Sequence, residues 1–161
     1  MRNSRFFARL FLLATLCIGG PSLHAQTVIP IPQEVEQATG SFTLNAQTKL
    51  SCNLTGDERA KLLDYLKQQP LLSACLKNGD AGQASIVLQK LDNAGTRTPE
   101  SYELRVTPEK IHITACTDAG MFYGLQTLMQ LATPAGEGTW TVAACHITDE
   151  PRFAYRGFMM D

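Results

Sequence analysis

Apolar and polar residues alternate strictly in two runs past the middle of the chain, Tyr102-Glu-Leu-Arg-Val106 and Ile111-His-Ile-Thr-Ala115. A two-residue period places successive side chains on opposite faces of a strand. The short turn Pro108-Glu-Lys110 joins the runs, which predicts an antiparallel hairpin with Tyr102, Leu104, Val106, Ile111 and Ile113 facing a core. The period then changes. Met121, Leu125, Leu128 and Ala132 recur at spacings of four, three and four, and Phe122 and Met129 widen the stripe. This predicts an amphipathic helix over about 119–132, capped by Asp118.

The same reading extends along the rest of the chain. Pro30 and Pro32 make residues 26–33 an extended leading segment. Gly40 precedes Ser41-Phe-Thr-Leu44, and Thr48-Lys-Leu-Ser-Cys52 follows; both alternate as half-buried strands do. Asp57 is the expected N-cap of a helix to about Gln69, with Leu62, Leu63 and Leu66 on one face and Pro70 ending it. Residues 77–83 read as a loop, Ser85–Leu91 as a strand, and Thr139–Val142 as a strand after the Gly136/Gly138 turn. A last strand-like run is Ala154-Tyr-Arg-Gly-Phe-Met-Met160. Strands outnumber helices and connections are short. The expected class is α+β, a mainly antiparallel sheet with helices packed on one face.

The first 25 residues stand apart. Arg2, Arg5 and Arg9 precede the apolar stretch Leu10–Ile18, Gly19-Gly-Pro21 breaks it, and Ser22-Leu-His-Ala25 ends on a small residue. That is the pattern of a signal peptide, and its apolar core is far shorter than the roughly 30 Å a membrane span needs. We expect cleavage after Ala25 and export to a periplasmic or extracellular location. Lipid attachment at Cys17 has little support, because bulky Leu16 precedes it. Without the leader, Lys+Arg falls from 14 to 11 against 15 Asp+Glu, so the net charge moves from −1 to about −4. An acidic domain without a basic stripe is a poor nucleic-acid binder. No other apolar run approaches a transmembrane length.

Catalytic parts are few. Beyond the leader there are two histidines, His112 and His146, and His112 lies on the polar side of its strand. There is no H-E-x-x-H, no G-x-S-x-G and no phosphate-cradling glycine loop, so no metal or cofactor site is expected. Asp149 and Glu150 are adjacent and point to opposite sides of an extended segment, which suits a turn before Pro151 better than a carboxylate pair flanking a glycosidic bond. Cys52, Cys75, Cys116 and Cys145 permit two disulfides in an exported chain, but small apolar packing accounts for them more simply.

Two word-like segments carry a sharper signal. Residues 102–131 read Y-E-L-R-V, then I-H-I-T-A, then D-A-G-M-F-Y-G-L-Q-T-L-M-Q-L. This strongly resembles the accessory domain that precedes the catalytic barrel in family 20 glycoside hydrolases, the β-N-acetylhexosaminidases. Residues 149–161, D-E-P-R-F-A-Y-R-G-F-M-M-D, resemble the opening of that barrel. The resemblance implies an accessory domain over 26–150 and the first strand of a (β/α)8 barrel over 151–161. It implies that the rest of the barrel is missing from this chain, because a full barrel takes about 250 residues. The implied activity is retaining, substrate-assisted removal of terminal N-acetylglucosamine or N-acetylgalactosamine from glycans, without a cofactor. The general acid and the acetamido-orienting Asp belong to a later barrel strand. Hence no catalytic residue is expected here, and the chain alone should be inactive. Arg156, in the family's Arg-Gly word, is the one implied substrate-binding residue, through its planar fork of donors.

Gly120 and Gly124, four apart on one helix face, are expected to let the helix approach a neighbouring backbone, while Tyr123 and Gln126 offer polar tips to a partner domain. The helix would then help the accessory domain dock on its own catalytic barrel. Two alternatives stay open: the accessory domain of a family 84 N-acetylglucosaminidase or hyaluronidase-like enzyme, and a non-catalytic carbohydrate-binding or interaction module.

Overall fold

A computed structural model describes residues 28–73, 77–78, 82, 84–92, 97–153 and 157. The leader, Cys75, Arg156 and residues 158–161 lie outside the described residues, and with them most of the last strand-like run. The elements in chain order are β1 (Glu34–Leu44), β2 (Lys49–Cys52), α1 (Gly56–Gln68), α2 (Pro70–Ser73), β3 (Lys77–Asn78) and β4 (Ile86–Lys90). They are followed by β5 (Tyr102–Val106), β6 (Ile111–Ala115), α3 (Asp118–Leu131), β7 (Thr133–Gly136) and β8 (Thr139–Asp149).

The strands form one sheet in the order β1-β8-β5-β6-β4-β2-β3, with β7 beside β8. The expected hairpin is present: β5 pairs antiparallel with β6, Leu104 opposite Ile113. The sheet as a whole, however, is mixed rather than mainly antiparallel. β2 runs parallel to β3 and to β4, and β4 runs parallel to β6. For β2 and β3 the reason is their connection: α1 and α2 form a helical crossover that returns the chain to the starting end, so β3 runs parallel to β2.

Helix ends are also refined. α3 begins at Asp118, and its cap is Thr117, whose hydroxyl accepts a hydrogen bond from the Gly120 amide at 3.3 Å. Asp118 instead sits in the first turn and pairs with Lys90 at 2.9 Å. Lys90 also reaches Glu58 in the first turn of α1 at 2.7 Å, so one ammonium on β4 joins both helix N-termini. Thr55, not Asp57, is the N-cap of α1, and Pro70 opens the short α2 as well as ending α1. Pro is tolerated there because the first residue of a helix needs no amide donor.

One hydrophobic core joins the sheet and the helices. Leu104, Ile111, Ile113, Leu125, Leu128 and Leu66 are fully buried in it. Fully burying each such side chain contributes about 1.5–3 kcal/mol. The opposite face of the sheet is polar. His112, Arg105, His146 and Glu36 stand in one row across β6, β5, β8 and β1. His112 is half-buried there, 3.0 Å from the Gln89 carboxamide oxygen, which is a structural role. Cys145 lies in the core, and burial pushes its thiol up to about 11. Cys52 and Cys145 are free thiols, so the two-disulfide arrangement is not formed.

Gly120 and Gly124 bring α3 close to β5 and β6, as expected. A Cβ on Gly120 would collide with the Ser101 carbonyl oxygen, and one on Gly124 would lie 2.6 Å from Ile113 Cγ2. Gly→Ala in an unconstrained helix stabilises by about 1 kcal/mol. Here the sign should reverse. We predict that Gly120→Ala and Gly124→Ala each destabilise the domain by roughly 1–3 kcal/mol in urea melts, from overpacking.

A second prediction concerns pH. Burial opposes ionisation of Glu103 on β5, but hydrogen bonds from His146 (2.8 Å) and Arg97 (3.3 Å) outweigh it and hold the carboxyl below its usual range. A lowered pKa contributes stability above the unfolded-state value, lost as pH falls through the folded one. The stability gap between the wild type and Glu103→Gln should therefore be widest near neutrality and close below about pH 4. Parallel melts over pH 3–7 read it directly; a gap that widens on acidification would contradict the assignment.

Candidate functional site

The feature that distinguishes this surface is an open groove of about 820 Å³ along the outer side of α3. One wall is the helix, with Phe122, Tyr123, Gln126 and Gln130; the second is the leading segment Val28–Ile31, and the third is the trailing segment Asp149–Phe153. Tyr102 and Thr127 lie beneath. The lining is mainly apolar and left open to water. Ile29, Ile31 and Phe153 are 73%, 71% and 70% exposed, and Phe122 and Tyr123 are 41% and 36% exposed. Among the described residues, only Val35 joins these five as an exposed large hydrophobe, and it stands outside the groove. Exposed apolar side chains gathered in one place mark an interaction surface, whereas single scattered ones do not.

The helical period assigns Phe122 to the core stripe; the structure turns it outward. Phe122 is two positions, about 200° around the helix, from both Gly120 and Gly124, whose face rests on the sheet, so it points to the opposite side. Met121 is buried. Phe122 packs on Tyr65 of α1 at 5.1 Å between ring centroids and on Tyr123 at 5.8 Å. Gln126 donates from Nε2 to the Tyr65 hydroxyl, so its polar tip joins the two helices rather than pointing only outward. The placement of Phe122 midway between Gly120 and Gly124 is the sign in the sequence of a groove-facing aromatic.

The walls are tied by polar contacts. The Gln130 carboxamide accepts from the Ile29 amide at 2.8 Å and donates to the Ile29 carbonyl at 3.1 Å, as a strand neighbour would. The Gln33 amide donates to Asp149 Oδ1 at 3.1 Å, and Gln33 Nε2 donates to the Glu150 carbonyl at 2.9 Å. The Tyr102 hydroxyl lies 2.6 Å from Thr127 Oγ1 and 3.3 Å from Asp149 Oδ2. Burial first, with help from Asp149, pushes the Tyr102 phenol well above its ordinary range, so it stays protonated. Asp149 is thus a hydrogen-bonded organiser at the end of β8. Arg156, the residue implied in sugar binding, lies outside the described residues. Among the described residues, no group of three His, Cys, Asp or Glu side chains is placed to hold a metal ion, and no helix is long and apolar enough to cross a membrane.

The family model for glycosyl hydrolase family 20, domain 2, matches residues 25–150. The chain belongs to this family. Relatives of the family 20 domain bear it out. A β-hexosaminidase of Porphyromonas gingivalis is 32% identical over 144 residues, 83% of this chain and 18% of that protein. One of Vibrio vulnificus is 46% identical over 144 residues, 89% of this chain and 16% of that protein. The fold matches that of a Streptomyces plicatus N-acetyl-β-hexosaminidase with a TM-score of 0.68 and 32% identity, covering 81% of this chain and 27% of that one. A Bacteroides fragilis β-N-acetylhexosaminidase matches with a TM-score of 0.69 and 26% identity, covering 79% and 25%. The chain therefore spans less than a third of the length of these relatives.

The groove also makes a prediction for the family 20 domain by itself. Phe122→Glu combined with Phe153→Glu should cut binding of an apolar dye such as anilinonaphthalene sulfonate several-fold while lowering the unfolding midpoint only modestly, through the lost Phe122–Tyr65 and Phe122–Tyr123 ring contacts, since both side chains lie outside the core. Dye fluorescence equal to the wild type's would place the apolar surface elsewhere.

Proposed function

We propose that this chain is the accessory domain of an exported β-N-acetylhexosaminidase, and that the groove beside α3 is where it docks on the enzyme's catalytic barrel. The observation that carries this is the position of the apolar surface. The exposed residues flank the trailing segment 149–153, along which the chain leaves the domain. A domain that continued into a barrel from this point would bury Phe122, Tyr123 and Phe153 against it, as aromatic residues at interface cores are buried. In this reading the substrate is a glycan ending in N-acetylglucosamine or N-acetylgalactosamine, hydrolysis belongs to the barrel, and Arg156 contributes contacts to sugar hydroxyls. Export rests on the basic, apolar and small-residue order of residues 1–25.

The exposed aromatics also bear on the reading as a sugar-binding module, which needs ring faces presented to a pyranose. Phe122 meets Tyr65 at 57° and Tyr123 at 69° between ring planes, so the three form an edge-packed cluster and not a flat platform. That geometry suits a protein partner better.

The test joins the chain to the coding sequence downstream of Asp161 in one polypeptide. The expected result is release of 4-nitrophenol from 4-nitrophenyl N-acetyl-β-D-glucosaminide. The chain alone should give none, and it should show no saturable shifts with N-acetylglucosamine in NMR titration. Phe122→Glu should lower the thermal midpoint of the joined protein by more than it lowers that of the chain alone, where only the contacts with Tyr65 and Tyr123 are lost. A downstream frame encoding no barrel, or a joined protein that Phe122→Glu destabilises no more than the chain alone, would overturn the proposal.

A further inference from the structure

We propose that the carboxylate of Asp149 is the positioning group of this surface, setting the direction in which the chain leaves β8 and thereby the spacing of the groove's two chain walls. The inference rests on the docking reading and gives it a mechanism. Asp149 is the last residue of β8 and stands in register with Tyr102, the first residue of β5. On its other side, the ladder between β1 and β8 ends at Glu34 opposite Thr148. One residue beyond that pair, backbone pairing gives way to side-chain contacts. Asp149 Oδ1 accepts from the Gln33 amide, and the Gln33 carboxamide donates to the Glu150 carbonyl. The leading and trailing segments are therefore held to each other by two bonds at the point where both leave the sheet.

The direction of the remaining bonds follows from donor chemistry. An ionised carboxylate only accepts, so the Tyr102 hydroxyl donates to Asp149 Oδ2. With its one proton committed, the Tyr102 oxygen accepts from the Thr127 hydroxyl. An oriented line thus runs from α3 through β5 to the trailing segment, and Tyr102 and Thr127 are buried at 3% and 4% exposure. The helix carrying the groove's aromatics and the segment forming its far wall are referred to the same carboxylate.

This arrangement separates positioning from stability. When the carboxylate is removed, Tyr102 can turn its proton to Thr127, so neither buried hydroxyl is orphaned. What is lost is the tie on the Gln33 amide and the fixed course of residues 150–153. An amide in place of the carboxylate keeps the tie: its oxygen accepts from Gln33 and its nitrogen donates to Tyr102, with the hydroxyl direction reversed.

The test uses NMR of the 15N-labelled chain. In Asp149→Ala, exchange of the Gln33 amide should rise at least tenfold, and the residual dipolar couplings of the Glu150, Arg152 and Phe153 amides should shrink toward zero. Amides of β5, β6 and α3 should keep their wild-type protection. Asp149→Asn should restore the couplings and bring Gln33 exchange to within about threefold of the wild type, a rescue that loss of packing would not give. Gln33→Ala, at an exposed position, should shrink the Glu150 coupling while the amide at position 33 stays protected; it decides the question by itself if Asp149→Ala does not fold. Wild-type couplings at 150–153 in Asp149→Ala, or loss of protection at the position-33 amide in Gln33→Ala, would overturn the proposal. These readings need no barrel, so their failure is distinct from failure of docking, which Phe122→Glu reports.

Discussion

The close seating of α3 on the β5–β6 hairpin is the constraint from which the rest of the molecule follows. Gly120 rests against the Ser101 carbonyl, and Gly124 against Ile113 and Tyr102. Without side chains at these two positions, the helix axis comes nearer the sheet than ordinary packing allows, and Leu125 and Leu128 drop fully into the core. The same approach brings Thr127 within hydrogen-bond distance of Tyr102. It also settles which residues are left outside. With one face of the helix pressed to the sheet, Phe122, Tyr123, Gln126 and Gln130 line the groove.

The two surfaces of the domain differ in kind. The open face of the sheet carries cross-strand polar pairs, where Glu103 is held by Arg97 and His146, and His146 also faces Glu36 on the neighbouring strand. Such a face is satisfied in water. The helix side ends instead in five exposed apolar residues around a groove whose walls are already cross-linked by Gln33, Gln130 and Asp149. A surface whose backbone is preorganised loses less conformational freedom on binding, which makes it the better docking face of the two. This family 20 domain spans less than a third of its relatives' length.

The elements with a clean period are legible in the amino-acid sequence alone. The β5–β6 hairpin and its five core residues, Met121, Leu125 and Leu128 of α3 and the two close-packing glycines stand where alternation and spacing place them, while Phe122 does not. In β8 the pattern reaches only as far as Val142. The buried positions then shift by one, from Val142 to Cys145, opposite the irregular stretch between Gln37 and Ser41 of β1, and the two-residue alternation breaks. The exposed front of β1 carries no alternation at all, because an edge strand open to water buries neither of its faces there.

What the sequence by itself determined, then, is local and repetitive: which segments are strand or helix, which side of each is apolar, and, through its two characteristic words, its family. Tertiary structure decided everything that depends on elements far apart in the chain. The parallel pairing of β2 and β3 follows from where the α1–α2 crossover lands, and that of β2 with β4 from their placement side by side in the sheet, which no pattern within a strand records. Phe122 became a groove residue because Gly120 and Gly124, two positions to either side of it, are the residues pressed to the sheet, which turns Phe122 to the far side of the helix. Asp149 has the local setting of a turn residue; it is an organiser only because Gln33, 116 positions away, and Tyr102, 47 away, are brought to its two oxygens. Burial has a period that can be read along the chain, whereas a hydrogen bond between distant segments has none.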